Sequence, residues 1–105
     1  TTEEAFRIAE PYLSLKYKVY HEWGQDKAMP DGDNDLGQAF EDLQRDRFLI
    51  GSPDDVAEQV IKLNKRTGAN HIIASMQWPG MAQNQTLDAM HLLAEEVFPK
   101  VRQGV

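Results

Sequence analysis

Residues 48–81, FLIGSPDDVAEQVIKLNKRTGANHIIASMQWPGM, contain the pattern on which the predicted fold depends. An apolar run at 48–50 ends at a glycine, and Ser52 then offers a side-chain oxygen to the unpaired N–H groups at the start of a helix. Pro53 suits the first helical position, where no N–H is needed. Ser52 and Asp55 have the spacing of a capping box. The stretch therefore predicts a short strand followed directly by a capped helix.

The second half of this stretch predicts the rest of a crossover unit. Val56, Val60 and Leu63 recur at helical spacing and give the helix one apolar face. Gly68 is typical of a helix C-terminus. Residues 71–76, HIIASM, are apolar on both sides of an extended chain, as in strands covered by helices. Strand, helix and strand together predict a βαβ unit with parallel strands and a right-handed crossover.

A loop and a last helix follow the second predicted strand. The loop, residues 77–81, has the sequence QWPGM, and a helix is predicted from about 83 to 98, with Pro99 ending it. Residues 47–105 thus predict a β-α-β-α order. The residues predicted to share the buried face of the last helix are Leu87, Met90, Leu93, Ala94 and Val97.

Residues 1–46 predict a helical segment with a polar loop. Thr1 or Thr2, followed by Glu3 and Glu4, predicts a capped helix start. The helical pattern runs from there to about residue 23, and Pro11 predicts a break or kink within it. Residues 24–37 are polar and rich in turn signals, and residues 36–46 predict a short helix. Alternating aspartates in the loop resemble a calcium loop, but Asp42 stands where a bidentate glutamate is needed. We therefore predict no metal site.

Composition bounds the class of protein. The chain has 105 residues, a net charge of −6 and no cysteine. A length of this order allows one domain with a modest core. The acidic balance argues against a nucleic-acid partner, since no basic stripe can neutralise phosphates. No stretch approaches the roughly 18 apolar residues of a membrane span, and no signal peptide precedes the first element. We expect a cytoplasmic protein.

Residues 47–101 resemble the C-terminal end of the luciferase-like flavin-dependent monooxygenases, the bacterial luciferase family. In that family an F-x-x-G-S/T-P-x-x-V-A segment precedes a helix, and in one branch an apolar strand ends in Q-W-P-G-M before the final helix. The matching positions are Phe48, Gly51, Ser52, Pro53, Val56, Ala57 and residues 77–81. The resemblance implies an α/β fold in which residues 47–105 are the last two βα units of a (β/α)₈ TIM barrel, preceded by a kinked helix and a loop in its variable region. A whole barrel needs roughly 250 residues, so it cannot close here.

The resemblance also implies an oxidoreductase. Members of the family oxidise an organic substrate with O₂, using reduced FMN from a separate reductase or, in related branches, a deazaflavin. The residues that hold the flavin phosphate lie in earlier strands of the family's barrel. We therefore expect the flavin and the small-molecule substrate to bind the full-length parent, and this chain alone to bind no cofactor and to be inactive.

The same resemblance places candidate site residues. Gln77, Trp78 and Met81 follow the last predicted strand, at the end of the barrel where the flavin or the substrate would lie. Packing of the barrel rim is the alternative role for Trp78. The polar loop at 24–37 is a candidate lid because long loops in compact domains often serve as lids. His21 is the imidazole next to it and is a candidate lining residue or general base, although no geometry can be checked from sequence. The catalytic residues themselves stay undefined.

The predicted two-stranded sheet leaves strand edges that need covering. Either a larger protein supplies the missing strands, or copies of the chain associate, so a homo-oligomer formed through strand edges is expected. A self-contained α/β oligomeric interaction module without catalysis is the alternative to the monooxygenase fragment. The 77–81 loop distinguishes the two hypotheses, because it has a role in the monooxygenase fragment and none in the interaction module.

Overall fold

The computed structural model describes residues 1–29, 39, 44 and 47–105, and the regular structure in them is helical. No β-strand occurs in these residues. The α/β prediction, a β-α-β-α fragment of a TIM barrel, is therefore wrong for the described part of the chain. The elements are α1 Thr2–Glu22, a 3₁₀ turn Gln25–Ala28, α2 Pro53–Thr67, α3 Gln83–Leu92, a π-helical turn Leu93–Val97 and α4 Phe98–Gly104.

The two predicted strands are irregular segments. A strand forms only where its N–H and C=O groups pair with a neighbouring strand, and apolar character alone does not supply that neighbour. Residues 48–50 instead pack against α1, with Ile50 buried. Residues 71–76 lie largely in solvent, where Ile72 is 47% exposed and Ile73 is 87% exposed. The predicted buried strand is thus an exposed apolar segment.

Helix α1 begins as its sequence predicts. Thr1 is the N-cap, its Oγ1 accepts a hydrogen bond from the Glu4 N–H at 3.1 Å, and Glu4 completes the capping box. The helix then continues through Pro11, so the predicted break does not occur, while a kink there stays a prediction. Proline removes one backbone hydrogen bond, but Ala9 and Leu13 on either side of it are buried against the rest of the chain. This burial holds the helix together across the proline.

Helix α2 confirms the prediction at both of its ends. The Ser52 Oγ accepts from the Asp55 N–H at 3.3 Å, and the Asp55 Oδ2 accepts from the Ser52 N–H at 3.1 Å. At the other end Gly68 has φ +72° and its N–H donates to the Asn64 carbonyl at 2.8 Å. Both caps are local signals, which explains why the sequence alone was sufficient.

The C-terminal helical region runs past Pro99, so the predicted stop there is wrong. The π-helical turn precedes α4 and places Pro99 in the first turn of that helix, where a missing N–H costs little. The predicted apolar face is only partly buried. Val97 is 3% exposed, whereas Leu87 and Met90 are 45% and 50% exposed.

The described residues pack in two regions. In the first, Ala9, Leu13 and Ile50 form a buried cluster that the side chains of Ala5, Phe6, Phe48 and Trp78 partly cover. In the second, α2 packs against the π-helical turn and α4. Gly104 leaves no room for a side chain beside Ile61, and Lys100 forms an ion pair with Asp54. The 77–81 loop belongs to the first region.

The predicted short helix at 36–46 lies outside the described residues, apart from positions 39 and 44. The 3₁₀ turn Gln25–Ala28 occupies the first part of the predicted polar loop at 24–37. No helix within the described ranges has both the length and the apolar character that crossing a bilayer requires.

Candidate functional site

The 77–81 loop contains a tight turn. The Met81 N–H donates to the Trp78 carbonyl at 3.0 Å, which closes a four-residue turn. Pro79 occupies its second position, and Gly80 its third with φ +86°. This combination matches a type II turn, which needs a positive φ at the third position. The Pro-Gly pair therefore fixes the direction in which the chain leaves Trp78.

Trp78 attaches this turn to α1. Its side chain is half-buried and packs against the cluster of Ala9, Leu13 and Ile50. Much of the indole thus serves to hold the loop in place, and only the remaining exposed part is available to a ligand. Trp78 therefore packs, although against α1 and not on a barrel rim, and a lining role for its exposed part stays a prediction.

Tyr12 makes two further contacts from α1 to this region. Its hydroxyl donates to the Gln85 Oε1 at 3.1 Å, in the first turn of α3. Its ring lies beside Gly80, where a Cβ would come 3.8 Å from the Tyr12 Cδ1 and Cε1 atoms. One residue of α1 is thus bonded to the start of α3 and lies near the turn.

The structure separates the four candidate residues into two groups. Trp78 and Met81 are joined in the turn, with Met81 half-buried, and Gln77 precedes them with its side chain exposed. His21 lies in the last turn of α1 and is exposed. It follows Leu13 by eight residues, which is about 12 Å along the helix axis. His21 therefore belongs to a different part of α1 from the one that holds the loop.

The exposed Gln77 side chain is the polar group of this loop with the widest binding capacity. Its amide offers two donor hydrogens and an acceptor oxygen, which suits ligand edges that alternate N–H and C=O groups. Beside it, the exposed parts of Trp78 and Met81 provide an apolar surface. An exposed amide and partly exposed apolar side chains are the kinds of groups that line sites for flat heterocycles. Roles for Gln77, Trp78, Met81 and His21 at a ligand stay predictions.

Sequence reasoning missed Tyr12 and Gln85 as parts of this region. They are 73 positions apart, and their hydrogen bond has no local signal. Tyr12 stood out only as one of several aromatic residues on an apolar helix.

A second polar group connects the starts of α1 and α2. The Thr2 hydroxyl donates to the Asp55 carboxylate, which also accepts from the Ser52 hydroxyl at 2.9 Å. The hydrogen bond from Thr2, followed by those from Ser52, lowers the pKa of Asp55 below its ordinary value of 3.8. The carboxylate occupies the space where an anion at the start of α2 would bind, so this helix end serves for capping.

An aromatic row extends along the second half of α1. The Tyr17 ring meets the Tyr20 ring edge to face at 5.5 Å and the Phe48 ring at 5.4 Å between centroids. Tyr20 is followed by Trp23 at 6.1 Å, and the Trp23 side chain is 70% exposed. The Lys16 ammonium lies 5.7 Å from the Tyr20 ring centroid, within cation–π range. This row joins α1 to residues 48–50.

Within the described ranges, no three His, Asp or Glu side chains come together as metal ligands would. No family model, curated protein or solved structure matches this chain.

Proposed function

We propose that this chain contributes the 77–81 loop to the flavin or substrate pocket of a larger flavin-dependent monooxygenase of the luciferase-like kind. That protein would be a cytoplasmic oxidoreductase that uses reduced FMN, or a reduced deazaflavin, and O₂ on an organic substrate. The observation that carries the proposal is the turn itself, because its Pro-Gly geometry and the packing of Trp78 present the Gln77 amide to solvent.

In this proposal each residue of the loop has a limited task. The Gln77 amide pairs with the polar edge of a flat ring, while Trp78 and Met81 line one apolar side of it. The bound flavin supplies the chemistry with oxygen. The residues of this chain only bind and orient the flavin or substrate ring. Since the phosphate-holding residues are assigned to other parts of the parent, the isolated chain is expected to be inactive.

The test uses the complete product of the reading frame that encodes this chain. We expect it to consume O₂ when supplied with reduced FMN or a reduced deazaflavin. Gln77→Ala should raise the KM for flavin or substrate about tenfold, the factor that corresponds to 1.4 kcal/mol of binding. Gln103→Ala, which removes another exposed amide, from α4, is the matched control.

Two results would overturn the proposal. One is a complete product that consumes no O₂ with either reduced flavin. The other is a Gln77→Ala variant whose kinetics equal those of Gln103→Ala. A titration of FMN with the isolated chain, in which flavin fluorescence is measured, adds a separate check. Micromolar binding there would contradict the assignment of the flavin phosphate to the rest of the parent.

A second function is favoured by the exposed segment at 71–76. Ile73 is 87% exposed, and residues 70–77 contain no Asp, Glu, Lys or Arg. An apolar, uncharged and β-branched segment without proline is well suited to pairing with another chain. In this alternative the chain is a homo-oligomeric interaction module without catalysis, in which two copies pair through these segments about a two-fold axis.

Sedimentation of the purified chain distinguishes this alternative. Dimers should form as concentration rises, and Ile73→Lys should weaken them at least about tenfold by placing a charge in the paired segment. Leu15→Lys is the matched control, since Leu15 is also exposed but belongs to α1. A wild-type chain that remains monomeric at high concentration would eliminate the module.

A further inference from the structure

We propose that Tyr12 is the positioning residue of the 77–81 loop, so that α1 sets the direction in which Gln77 and Trp78 face. The relevance of this to a binding pocket rests on the proposed function, but the geometry stands without it. Tyr12 lies on α1, its hydroxyl is hydrogen-bonded to the helix that follows the turn, and its ring lies near Gly80 in the turn.

The hydroxyl of Tyr12 fixes the helix that follows the loop. Helix α3 has Ala82 as its N-cap, which offers no side-chain oxygen to the first N–H groups. The Tyr12 hydroxyl instead bonds the Gln85 side chain at 3.1 Å, in a part-buried position. The first turn of α3 is thereby attached to α1 by a side-chain hydrogen bond.

The ring of Tyr12 lies near the turn. A Cβ at Gly80, the residue with φ +86° on which the type II turn depends, would come into ordinary van der Waals contact with the Tyr12 ring at 3.8 Å. Its neighbour Leu13 is 0% exposed and belongs to the cluster that receives the Trp78 side chain. Neighbouring residues of α1 are therefore attached to both sides of the turn, Leu13 through the cluster that receives Trp78 and Tyr12 through its hydrogen bond to Gln85.

The hydroxyl and the ring can be separated by substitution. Tyr12→Phe keeps the ring beside Gly80 and removes the hydrogen bond. Gln85→Leu removes the same bond from the other side, whereas Gln85→Glu keeps an acceptor oxygen. Tyr20→Phe removes a hydroxyl from the same helix outside the loop region and is the matched control.

The experiment measures hydrogen exchange of the Met81 amide, which closes the turn, by NMR on the whole chain. Tyr12→Phe and Gln85→Leu should each speed this exchange about fivefold, the factor for a hydrogen bond of typical net strength. The double variant should be no faster than either single one, and Gln85→Glu should restore protection. The amides of α1 should keep their wild-type exchange in every variant, which a general loss of stability would not allow.

A second measurement follows Trp78 directly. In a Trp23→Phe background Trp78 is the single tryptophan, and quenching by acrylamide should increase in Tyr12→Phe but not in Tyr20→Phe. Equal Met81 exchange in Tyr12→Phe and Tyr20→Phe would overturn the inference. If Tyr12→Phe fails to fold, Gln85→Leu gives the same test. A loosened loop in a protein that makes no use of flavin would refute the proposed function alone.

Discussion

At the scale of single residues, Asp55 shows how one carboxylate serves two helices. It completes the capping box of α2 and also accepts from Thr2 at the start of α1. Each of these bonds favours the ionised form, which is the reason for its lowered pKa. Capping of α2 could be predicted from Ser52 and Asp55, because the two residues are three apart. The contact with Thr2 could not, since it depends on how the helices meet.

The lowered pKa of Asp55 makes stability depend on pH in a defined direction. The ionised carboxylate contributes stability fully above pH 3.8, the ordinary pKa. This contribution is lost as the pH falls through the lower pKa of the folded state. Thr2→Val removes the largest cause, so the pKa should return toward 3.8. Titration of the Asp55 carboxyl by NMR in both proteins measures this. An unchanged midpoint in Thr2→Val would show that Thr2 is not the cause.

Thr86 in α3 and Thr67 in α2 allow the cost of a buried hydroxyl without a hydrogen bond to be measured. The Thr86 Oγ1 is buried and finds no hydrogen-bond partner among the described residues, whereas the Thr67 Oγ1 donates to the Leu63 carbonyl at 2.7 Å. Thr86→Val keeps the shape and removes the unpaired group, so it should raise the free energy of unfolding by about 1 kcal/mol. Thr67→Val should not raise the free energy of unfolding, because the Thr67 hydroxyl already has a hydrogen-bond partner. Urea unfolding of both variants decides, and a destabilised Thr86→Val would refute the prediction.

At the scale of elements, the helices were predictable where their signals are local. The N-cap of α1 and both ends of α2 follow from residues a few positions apart. The break predicted at Pro11 does not occur, because burial of Leu13 outweighs one lost hydrogen bond. The runs at 48–50 and 71–76 misled for another reason. Their apolar character is typical of strands, but pairing requires a neighbour that local sequence cannot specify. The loop at 77–81 was located correctly in sequence, while its support by Tyr12 was beyond local reasoning.

Two leucines of α1 measure what the packing of this helix contributes. Leu13 is fully buried and Leu15 is 61% exposed. Leu13→Ala should lower the free energy of unfolding by about 3 kcal/mol through lost burial and a remaining cavity, and Leu15→Ala by under about 1 kcal/mol. Chemical denaturation followed by circular dichroism gives both values. Equal losses would mean that the cluster around Leu13 does not hold α1.

At the scale of the whole molecule, the chain combines a small core with a large exposed apolar surface. Its Cα radius of gyration is 14.7 Å, against about 13 Å for a compact domain of this length. Exposed apolar residues occur on the 71–76 segment and on α3, for example Ile73 and Met90. These surfaces favour association, while a net charge of −6 on every copy opposes it.

The balance between these two effects predicts how association depends on solution conditions. Repulsion disappears near the isoelectric point of about 4.9, and salt screens it at neutral pH. Association should therefore strengthen as pH falls from 7 toward 4.9, and also as salt is added at pH 7. Light scattering across both series provides the measurement. Association that weakens with added salt would indicate that ion pairs between copies, and not apolar contacts, are responsible.

The Thr2–Asp55 hydrogen bond has a consequence for combinatorial libraries built on this chain. It joins positions 53 apart, so the benefit of a hydroxyl at position 2 depends on which residue occupies position 55. Stable clones selected from a library randomised at both positions should carry Ser or Thr at the first site mainly when Asp is at the second. Such statistical linkage would appear in the sequences alone, before any clone is purified.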